Sequence, residues 1–240
     1  MSGLARAPLY ARAEAELRVR IARGDWKPGA ALPTETALAA ELGISQGTLR
    51  RALSVLERQR LIERRQGIGT YVTEATSERA LFHFFRAEAE DGARVTPTGK
   101  LHRLDVKPAK AEEARALRLA ECATVHRLFR QRFIKGVAVI AEEIALPAAL
   151  FPGFILPLHR ELTDELYVHY QRHHGITVMR VEEKLSAIAA PAQMAALLGV
   201  AAGWPLLHIT RIAFDVLDRP VERRLSWMET SHLNYAIELR

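Results

Sequence analysis

The chain has 240 residues, of which 49% are hydrophobic, and carries a formal net charge of +6. This length fits two domains of ordinary size, and the hydrophobic content excludes an intrinsically disordered protein. The positive charge is concentrated in residues 1–73, which contain 12 Lys and Arg against 7 Asp and Glu, whereas residues 74–240 contain 22 and 21. We therefore expect only the first third of the chain to bind a polyanion.

The sequence also bears on the compartment. The N-terminal residues lack the apolar core of a signal peptide, and no run approaches the roughly 18 apolar residues that a membrane span needs. Cys122 is the single cysteine, which excludes an intramolecular disulfide and fits a reducing compartment. Because its neighbours are apolar, we expect a buried, inert thiol rather than a nucleophile. The sequence predicts a cytoplasmic protein that does not enter the membrane.

Three helices are predicted in the first 60 residues. The first covers residues 8–23, with its apolar positions at Leu9, Leu17 and Ile21. The second follows the N-cap Thr34 and stops at Gly43. The third runs from the N-cap Ser45 to Arg58, and its apolar stripe consists of Leu49, Leu53 and Leu56. Only Gly43 and Ile44 separate the last two helices, which predicts a helix-turn-helix.

The polar face of the third helix has side chains that suit DNA. Gln can hydrogen-bond an adenine edge, Arg a guanine edge or a phosphate, and Thr a phosphate. Glycine is unfavourable inside a helix, so Gly47 indicates a close approach of a partner to the backbone. The alternative is a solvated basic face. The residues of this face are Gln46, Gly47, Thr48, Arg50 and Arg51.

A β-hairpin is predicted next. Residues 61–65 and 70–72 have strand character, and the glycine-rich turn 66–69 joins them. Helix, turn, helix and basic hairpin together predict a winged helix-turn-helix.

Residues 8–72 resemble the N-terminal domain of the GntR family of bacterial transcription regulators. The matching motifs are Pro8-Leu9-Tyr10, Gly24-Asp25-Trp26-Lys27-Pro28-Gly29, Leu32-Pro33-Thr34-Glu35, Thr48-Leu49-Arg50-Arg51-Ala52-Leu53 and Arg65-Gln66-Gly67-Ile68-Gly69-Thr70-Tyr71-Val72. The resemblance implies that Thr48 and Arg50 touch DNA and that Gly67 enters the minor groove. The family often has Arg at the position of Thr36 and Arg-Thr at Gln46-Gly47, so a different operator sequence is expected. The candidate DNA-binding residues are Thr34, Ser45, Gln46, Gly47, Thr48, Arg50, Arg51, Arg65, Gln66 and Gly67.

We expect three parts in the chain: a winged helix-turn-helix over residues 1–73, a polar linker over 74–79 and a second domain over 80–240. The second domain contains an internal near-repeat. Its first copy is a helix over 109–119, a strand over 124–134 and a strand over 137–146; its second is a helix over 191–198, a strand over 206–214 and a strand over 221–228. Arg130 and Phe133 match Arg211 and Phe214 at the corresponding positions.

Between the two copies, a helix is expected near residues 162–173 and a strand near 178–190. Two helix–hairpin units predict an antiparallel sheet with its helices on one side, which is an α+β domain.

The second domain resembles the effector-binding UTRA domain of the HutC subfamily of GntR regulators. The resemblance rests on Leu128-Phe129-Arg130-Gln131-Arg132, on residues 142–147 with Phe151-Pro152-Gly153, and on Pro220-Val221-Glu222. It implies a fold like that of chorismate lyase and a pocket for a small metabolite.

Arg130 and Arg132 are the strongest candidates for binding that metabolite. They alternate on one strand and therefore project from the same face. Two such guanidinium groups suit a phosphate or carboxylate, which arginine binds bidentately. The alternative is internal pairing with Glu142, Glu143 or Glu165. The resemblance supports the ligand, because the matching arginines bind the anionic group in sugar-phosphate-sensing members.

The other candidates follow from the resemblance, and the full effector-binding set is Thr98, Arg130, Arg132, Glu142, Glu165, Tyr167 and Glu222. Sugar-phosphate-sensing members have a serine where this chain has Glu165. A carboxylate there repels phosphate, so a small anionic metabolite other than a sugar phosphate, or a zwitterion, is expected.

No catalytic triad, phosphate-binding loop or dinucleotide fingerprint is present in the sequence, so no cofactor is expected. His173, His174 and His232 lack metal-ligand spacing, so no metal is expected either.

The sequence predicts a regulator, not an enzyme, that acts as a repressor and as a homodimer on an inverted-repeat operator in double-stranded DNA. Two alternatives remain, a lyase-like enzyme and a constitutive DNA-binding protein. Turnover of a bound metabolite by the second domain would indicate the first, and operator affinity without any ligand effect the second.

Overall fold

The computed structural model describes residues 7–76, 85–162 and 165–237. Its first part contains three helices followed by a β-hairpin. These elements are α1 (Leu9–Arg23), α2 (Glu35–Glu41), α3 (Gln46–Arg58), β1 (Ile62–Arg65) and β2 (Gly69–Val72). The two strands pair antiparallel, so the domain is a winged helix-turn-helix, as the sequence predicts.

Side-chain caps fix the starts of α2 and α3. The hydroxyl of Thr34 accepts a hydrogen bond from the backbone N–H of Ala37 (3.2 Å), and that of Ser45 accepts one from Thr48 (3.2 Å). Each bond satisfies an N–H group that the first turn of a helix leaves without a partner. The Ser45 cap determines where α3 begins and therefore which of its side chains face outward.

A small apolar core holds the three helices together. It includes the fully buried Leu17, Leu38, Leu49 and Leu53. Leu9 was predicted for the apolar face of α1 but is 56% exposed. It is the first residue of the helix, and its side chain faces solvent.

The second part is an antiparallel α+β domain. Its elements in chain order are β3 (Ala87–Ala89), β4 (Thr98–Pro108), α4 (Ala111–Leu117), β5 (Thr124–Ile134), β6 (Val137–Pro147), α5 (Leu166–His174), β7 (Val178–Ala189), α6 (Ala192–Leu198), β8 (Pro205–Asp215), β9 (Pro220–Met228) and β10 (Leu233–Tyr235). Six strands form one sheet in the order β4-β5-β6-β9-β8-β7, and β10 pairs with β3.

The predicted internal repeat is confirmed by the topology. The units β4–α4–β5–β6 and β7–α6–β8–β9 meet where β6 pairs with β9. Irregularities in the strand register lie between Arg132 and Phe133 in β5 and between Ala213 and Phe214 in β8. These positions correspond in the two copies, so the repeat extends to the local backbone geometry.

The expectation that all helices lie on one side of the sheet is wrong. Leu128 and Ile144 pack in the core that contains α5, whereas Phe129 and Ala141 pack with α6. Neighbouring residues of a strand point to opposite faces of a sheet, so α5 and α6 cover opposite faces. Val125, on the same side as Phe129, packs with α4. The two repeated helices thus share one face, and α5 covers the other.

Two boundaries in the second domain differ from the predictions. No strand was predicted over residues 98–108, where β4 lies at the edge of the sheet. The helix expected from Leu162 begins at Leu166, because the preceding residues run beside β4 instead. There, the backbone N–H groups of His159 and Leu162 donate to the carbonyl oxygens of Leu101 (2.7 Å) and Gly99 (2.9 Å).

The expectation of a buried thiol is also wrong, because Cys122 is exposed. It lies in the turn between α4 and β5 with a φ of 61°. A turn places its side chains at the surface whatever the hydrophobicity of its neighbours.

In the part of the chain that the structure describes, the domains contact each other around the β8–β9 turn, where Met179 and Leu217 also pack against the winged domain, and around Gln171. Val216, in the β8–β9 turn, is buried against the core of the winged domain, and its carbonyl accepts a hydrogen bond from Arg18 Nη1 (3.0 Å). Gln171 of α5 binds Thr73 and Ala75, where the chain leaves β2. The predicted linker, residues 74–79, is described only as far as Thr76. None of the helices in the described ranges is long and apolar enough to cross a membrane.

Candidate functional site

The outward face of α3 presents most of the predicted DNA-binding residues to solvent. Gln46, Gly47, Arg50 and Arg51 are exposed, and Thr48 is partly buried. A Cβ at Gly47 would lie 3.9 Å from Ser45 Oγ, its nearest neighbour. The helix surface there is open, so a partner has access to the backbone.

Two of these side chains reach back to α2. Gln46 Nε2 donates to Thr36 Oγ1 (3.1 Å), and Arg50 Nε donates to Glu35 Oε2 (2.7 Å). The Arg50 side chain remains 62% exposed. An ion pair this exposed contributes little to stability, so Arg50 can exchange Glu35 for a phosphate or a base without a large loss.

Arg51 and Arg65 rest on aromatic rings. The guanidinium carbon of Arg51 lies 4.0 Å from the ring centroid of Tyr10, and that of Arg65 lies 4.2 Å from the ring centroid of Tyr71. Arg65 Nη2 also pairs with Glu63 at 2.6 Å. Stacking limits the rotamers of both arginines while leaving their charge at the surface.

The tip of the wing is exposed and free of neighbours. Gly67 has a φ of +71°, and no other group lies within 4 Å of the position that its Cβ would occupy. Gln66 beside it is exposed. Ile68 is 71% exposed, and the sequence analysis did not single it out. An apolar side chain between two glycines at a hairpin tip covers no core. This pattern could have marked Ile68 as a candidate contact residue of the wing.

A buried network of charged side chains lies on the face of the sheet that α5 covers. Arg130 Nε donates to Glu142 Oε2 (2.7 Å), and Arg224 Nη1 donates to Glu142 Oε1 (3.2 Å). The hydroxyl of Ser226 approaches the same oxygen at 3.5 Å. Burial opposes the charge of Glu142, but Arg130, Arg224 and Arg132 hold the pKa of its carboxyl well below the usual range. Glu142 is therefore a permanent anion between arginines.

Glu222 is fully buried and accepts four hydrogen bonds. Arg224 donates through Nε (3.0 Å) and Nη2 (2.8 Å), and the hydroxyls of Tyr167 and Tyr170 donate at 3.0 and 2.7 Å. Burial, followed by the charge of Glu222, raises the pKa of Tyr167 to about 12 and that of Tyr170 well above its usual value. Both phenols consequently stay protonated and act as donors.

Arg132 is the least satisfied arginine of this network. Its Nη2 donates to Glu165 Oε1 (2.6 Å), and its guanidinium carbon lies 4.6 Å from the ring centroid of Phe85. Within the described residues, Arg132 Nε and Arg130 Nη2 are buried without a hydrogen-bond partner; the latter lies 2.6 Å from Glu142 Oε2 in a geometry unsuited to a hydrogen bond. Burial lowers the pKa of Arg132 to about 10. The site therefore retains donors for an additional acceptor.

The predicted internal pairing is present, since Arg130 pairs with Glu142 and Arg132 with Glu165. The two pairs differ in exposure, because the Glu142 side chain is 4% exposed and that of Glu165 is 18%. Glu165 is therefore the more accessible of the two glutamates.

Most of the predicted effector-binding residues come together in this network, and Thr98 does not. Thr98 opens β4, is exposed and lies opposite Phe133. The next residue, Gly99, is buried and lies beside Arg130 of the network instead. Its hypothetical Cβ would lie 3.4 Å from Arg130 Cδ and 3.8 Å from Leu162 Cδ1, so the absence of a side chain makes room for Arg130.

Several members of the network were not among the predicted site residues. Arg224 and Ser226 project with Glu222 from one face of β9, as residues two apart on a strand must, so the alternation Glu222-Arg223-Arg224-Leu225-Ser226 was a usable signal. Arg211 Nε donates to Glu183 Oε1 (2.6 Å), and the hydroxyl of Tyr235 also donates to Glu183. The network thus balances four arginines with four glutamates, namely Arg130, Arg132, Arg211 and Arg224 with Glu142, Glu165, Glu183 and Glu222.

Comparison with known proteins identifies a matching family for each of the two domains. Residues 9–72 match the family model for bacterial regulatory proteins of the gntR family, and residues 92–234 match that for the UTRA domain. A histidine utilization repressor of Pseudomonas putida is 33% identical and is matched over 85% of this chain and 82% of its own length. The mannosyl-D-glycerate transport/metabolism system repressor of Escherichia coli is 31% identical over 84% of this chain and 83% of its own.

A solved structure is similar as well. The ligand-binding domain of a GntR-family transcriptional regulator from Bordetella bronchiseptica superposes with a TM-score of 0.62 and 30% identity, covering 66% of this chain and 98% of that domain.

Proposed function

This chain belongs to the GntR family of bacterial regulatory proteins and carries a UTRA domain, and we propose that it is a repressor which a small metabolite releases from its operator. Members of this family with a UTRA domain are ligand-responsive DNA-binding regulators of transcription, and so is this chain. The observation that carries the effector site is Arg132, a buried guanidinium with an unpaired Nε and an accessible glutamate as its partner. The repressor role is supported by the names of the relatives.

DNA binding is assigned to the outward face of α3 and to the wing. Thr34 and Ser45 cap the helices of the motif; we propose that Gln46, Thr48 and Arg50 contact the major groove while Gly67 enters the minor groove. Arg51, Arg65 and Gln66 supply phosphate contacts at the edges. A homodimer on an inverted repeat fits this motif, because each half-site takes one recognition helix.

The effector is proposed to be a small zwitterion. A ligand carboxylate that replaces Glu165 at Arg132 separates the Glu165 carboxylate from that guanidinium, and an amine on the same ligand supplies a positive charge near it. The equal numbers of arginines and glutamates favour a ligand without a large net charge. The names of two relatives mention histidine and mannosyl-D-glycerate; both compounds carry the carboxylate that the proposal places at Arg132, and histidine carries the amine as well.

We propose that the second domain binds this ligand without chemical change and that the protein acts in the cytoplasm. This proposal is supported by the relatives, which are transcription regulators. Recovery of the intact ligand after incubation with the protein tests the first point, and a new product would indicate a lyase-like enzyme.

A thermal-shift screen of amino acids, hydroxy acids and phosphorylated sugars tests the site, with Arg132→Ala and Arg127→Ala as matched variants. Arg127 lies on the same strand and pairs with Glu113 (2.7 Å), at the start of α4. We expect a ligand that raises the melting temperature of the wild type and of Arg127→Ala but not of Arg132→Ala. A ligand that stabilises all three equally would remove Arg132 from the site.

A further inference from the structure

Helix α5 connects the charged network to the segment that joins the two domains. Glu165 precedes its first turn and binds Arg132, and Gln171 in its second half binds the backbone that leaves the winged domain. We propose that α5 transmits ligand binding to the winged domain and that Gln171 is the residue through which it does so. This inference rests on the function proposed above and adds the route by which that site acts.

The N-terminal half of α5 is held by the network. Glu165 pairs with Arg132 at 2.6 Å, and Tyr167 and Tyr170 donate to Glu222. Glu165 makes no side-chain capping hydrogen bond to the helix, so its contact with Arg132 positions the start of α5 rather than stabilising the first turn. A ligand anion that takes Arg132 removes this contact.

The C-terminal half of α5 is bound to the interdomain segment. Gln171 is 3% exposed. Its Oε1 accepts from the backbone N–H of Ala75 (2.6 Å), and its Nε2 donates to the carbonyl of Thr73 (3.3 Å) and to Thr177 Oγ1 (2.9 Å). The N–H of Thr73 in turn donates to the carbonyl of Leu61, next to β1 (2.9 Å). Two bonds therefore link α5 to the wing.

The space around this contact permits movement. A cleft of about 470 Å³ lies between the domains, and both Tyr167 and Gln171 line it together with residues of the winged domain that include Glu57, Ile62 and Arg64. The contact at Val216 combines apolar packing with one hydrogen bond from Arg18 Nη1 (3.0 Å), and it lies in the β8–β9 turn rather than on α5. Hydrogen bonds weaken steeply when their geometry changes. A shift of α5 therefore breaks the bonds of Gln171 while Val216 remains a pivot.

Hydrogen exchange of the Ala75 amide in the full-length protein tests this route without any ligand. Glu165→Ala removes the contact with Arg132 and should accelerate exchange at Ala75 about tenfold, because local opening governs protection. Glu113→Ala is the matched control, since Glu113 lies in the first turn of a short helix and also pairs with a β5 arginine (2.7 Å). It should leave Ala75 unchanged.

A double-mutant cycle on a DNA duplex selected from a random pool provides the second measurement. Glu165→Ala should weaken operator binding about tenfold, within the usual range of allosteric coupling, and should have no further effect in a Gln171→Met background. Gln131→Ala is the control for loss of a buried glutamine, because Gln131 binds Leu197 on the opposite face (2.8 Å). Melting curves confirm that each variant is folded.

Unchanged exchange at Ala75 in folded Glu165→Ala would overturn the proposal, as would an equal effect of Glu165→Ala with and without Gln171. The exchange measurement needs neither effector nor operator. Failure of every compound to change operator binding would instead contradict the proposed function, so the two failures are distinguishable.

Discussion

Arg50 and Arg132 each pair with a glutamate, but their surroundings give the pairs different roles. The Arg50–Glu35 pair is exposed, and such pairs contribute about 0–1 kcal/mol. The Arg132–Glu165 pair has a guanidinium that is only 4% exposed, where removal of one partner leaves a buried charge uncompensated. Arg50 can therefore leave Glu35 for DNA at little loss of stability. The buried charge of Arg132, in contrast, must be compensated by an anion both with and without a ligand.

Replacement of Arg50 by Ala should weaken operator binding by about 1–3 kcal/mol, the usual effect of losing a recognition-helix arginine. The free energy of unfolding should change little because the side chain is exposed. Arg58→Ala, in the last turn of the same helix, is the control for loss of one positive charge. Titration of the selected duplex measures both. Equal losses in the two variants would indicate a general charge effect rather than a contact.

Replacement of Gly67 by Val should impair operator binding about tenfold or more, because a β-branched residue is strained at a φ of +71° and fills the tip of the wing. Gly92→Val is the matched control, since Gly92 has a φ of +79° and lies in a loop of the second domain. It should be strained similarly without affecting DNA binding. If Gly67→Val binds as tightly as Gly92→Val, the wing tip does not enter DNA.

The sheet surface under α5 is the element whose stability depends most on charge. Since Glu142 has a lowered pKa in the folded state, its contribution to stability is present above its unfolded pKa, near 4.5, and is lost as the pH falls below it.

Glu142→Gln should therefore reduce the free energy of unfolding at neutral pH by about 3–5 kcal/mol, as for a broken buried ion pair, and should flatten its decline between pH 5 and pH 3. Glu121→Gln, at an exposed position, should behave like the wild type. Denaturant unfolding across this pH range measures both effects. A variant with the same acid dependence as the wild type would show that Glu142 is not the titrating group.

Elements with a strong local signal were predictable. The strand expected over 124–134 has those bounds, because apolar residues occupy both faces of a central strand. The N-caps at Thr34 and Ser45 were also correct, since capping depends on residues three positions apart.

Features that depend on distant contacts were not predictable. Strand β4 lies at the edge of the sheet, its outer positions are charged, and a bulge at His102 interrupts its alternation. Helix α5 starts late because Leu162 is held by Gly99 of β4. Glu165 was named as one possible partner of Arg132, but the position of α5, which decides that contact, was predicted on the wrong side of the sheet.

At the scale of the whole molecule, the account requires two winged domains on one operator. We expect two chains per duplex carrying an inverted repeat, and at least tenfold weaker binding to a duplex in which one half-site is scrambled, because each half-site takes one recognition helix. Analytical ultracentrifugation of the complex measures the stoichiometry. One chain per duplex with equal affinity for the half-site would contradict the dimer.

The most direct test of the central claim is the operator affinity of the full-length protein with and without the compound that stabilises it through Arg132. The account predicts that the compound weakens operator binding by about tenfold or more, a typical coupling between two sites. Arg132→Ala should bind the operator more weakly than the wild type, because it also loses the contact with Glu165, and should not respond to the compound. Operator affinity that stays constant while the compound occupies the site, or an undiminished response of Arg132→Ala, would contradict it.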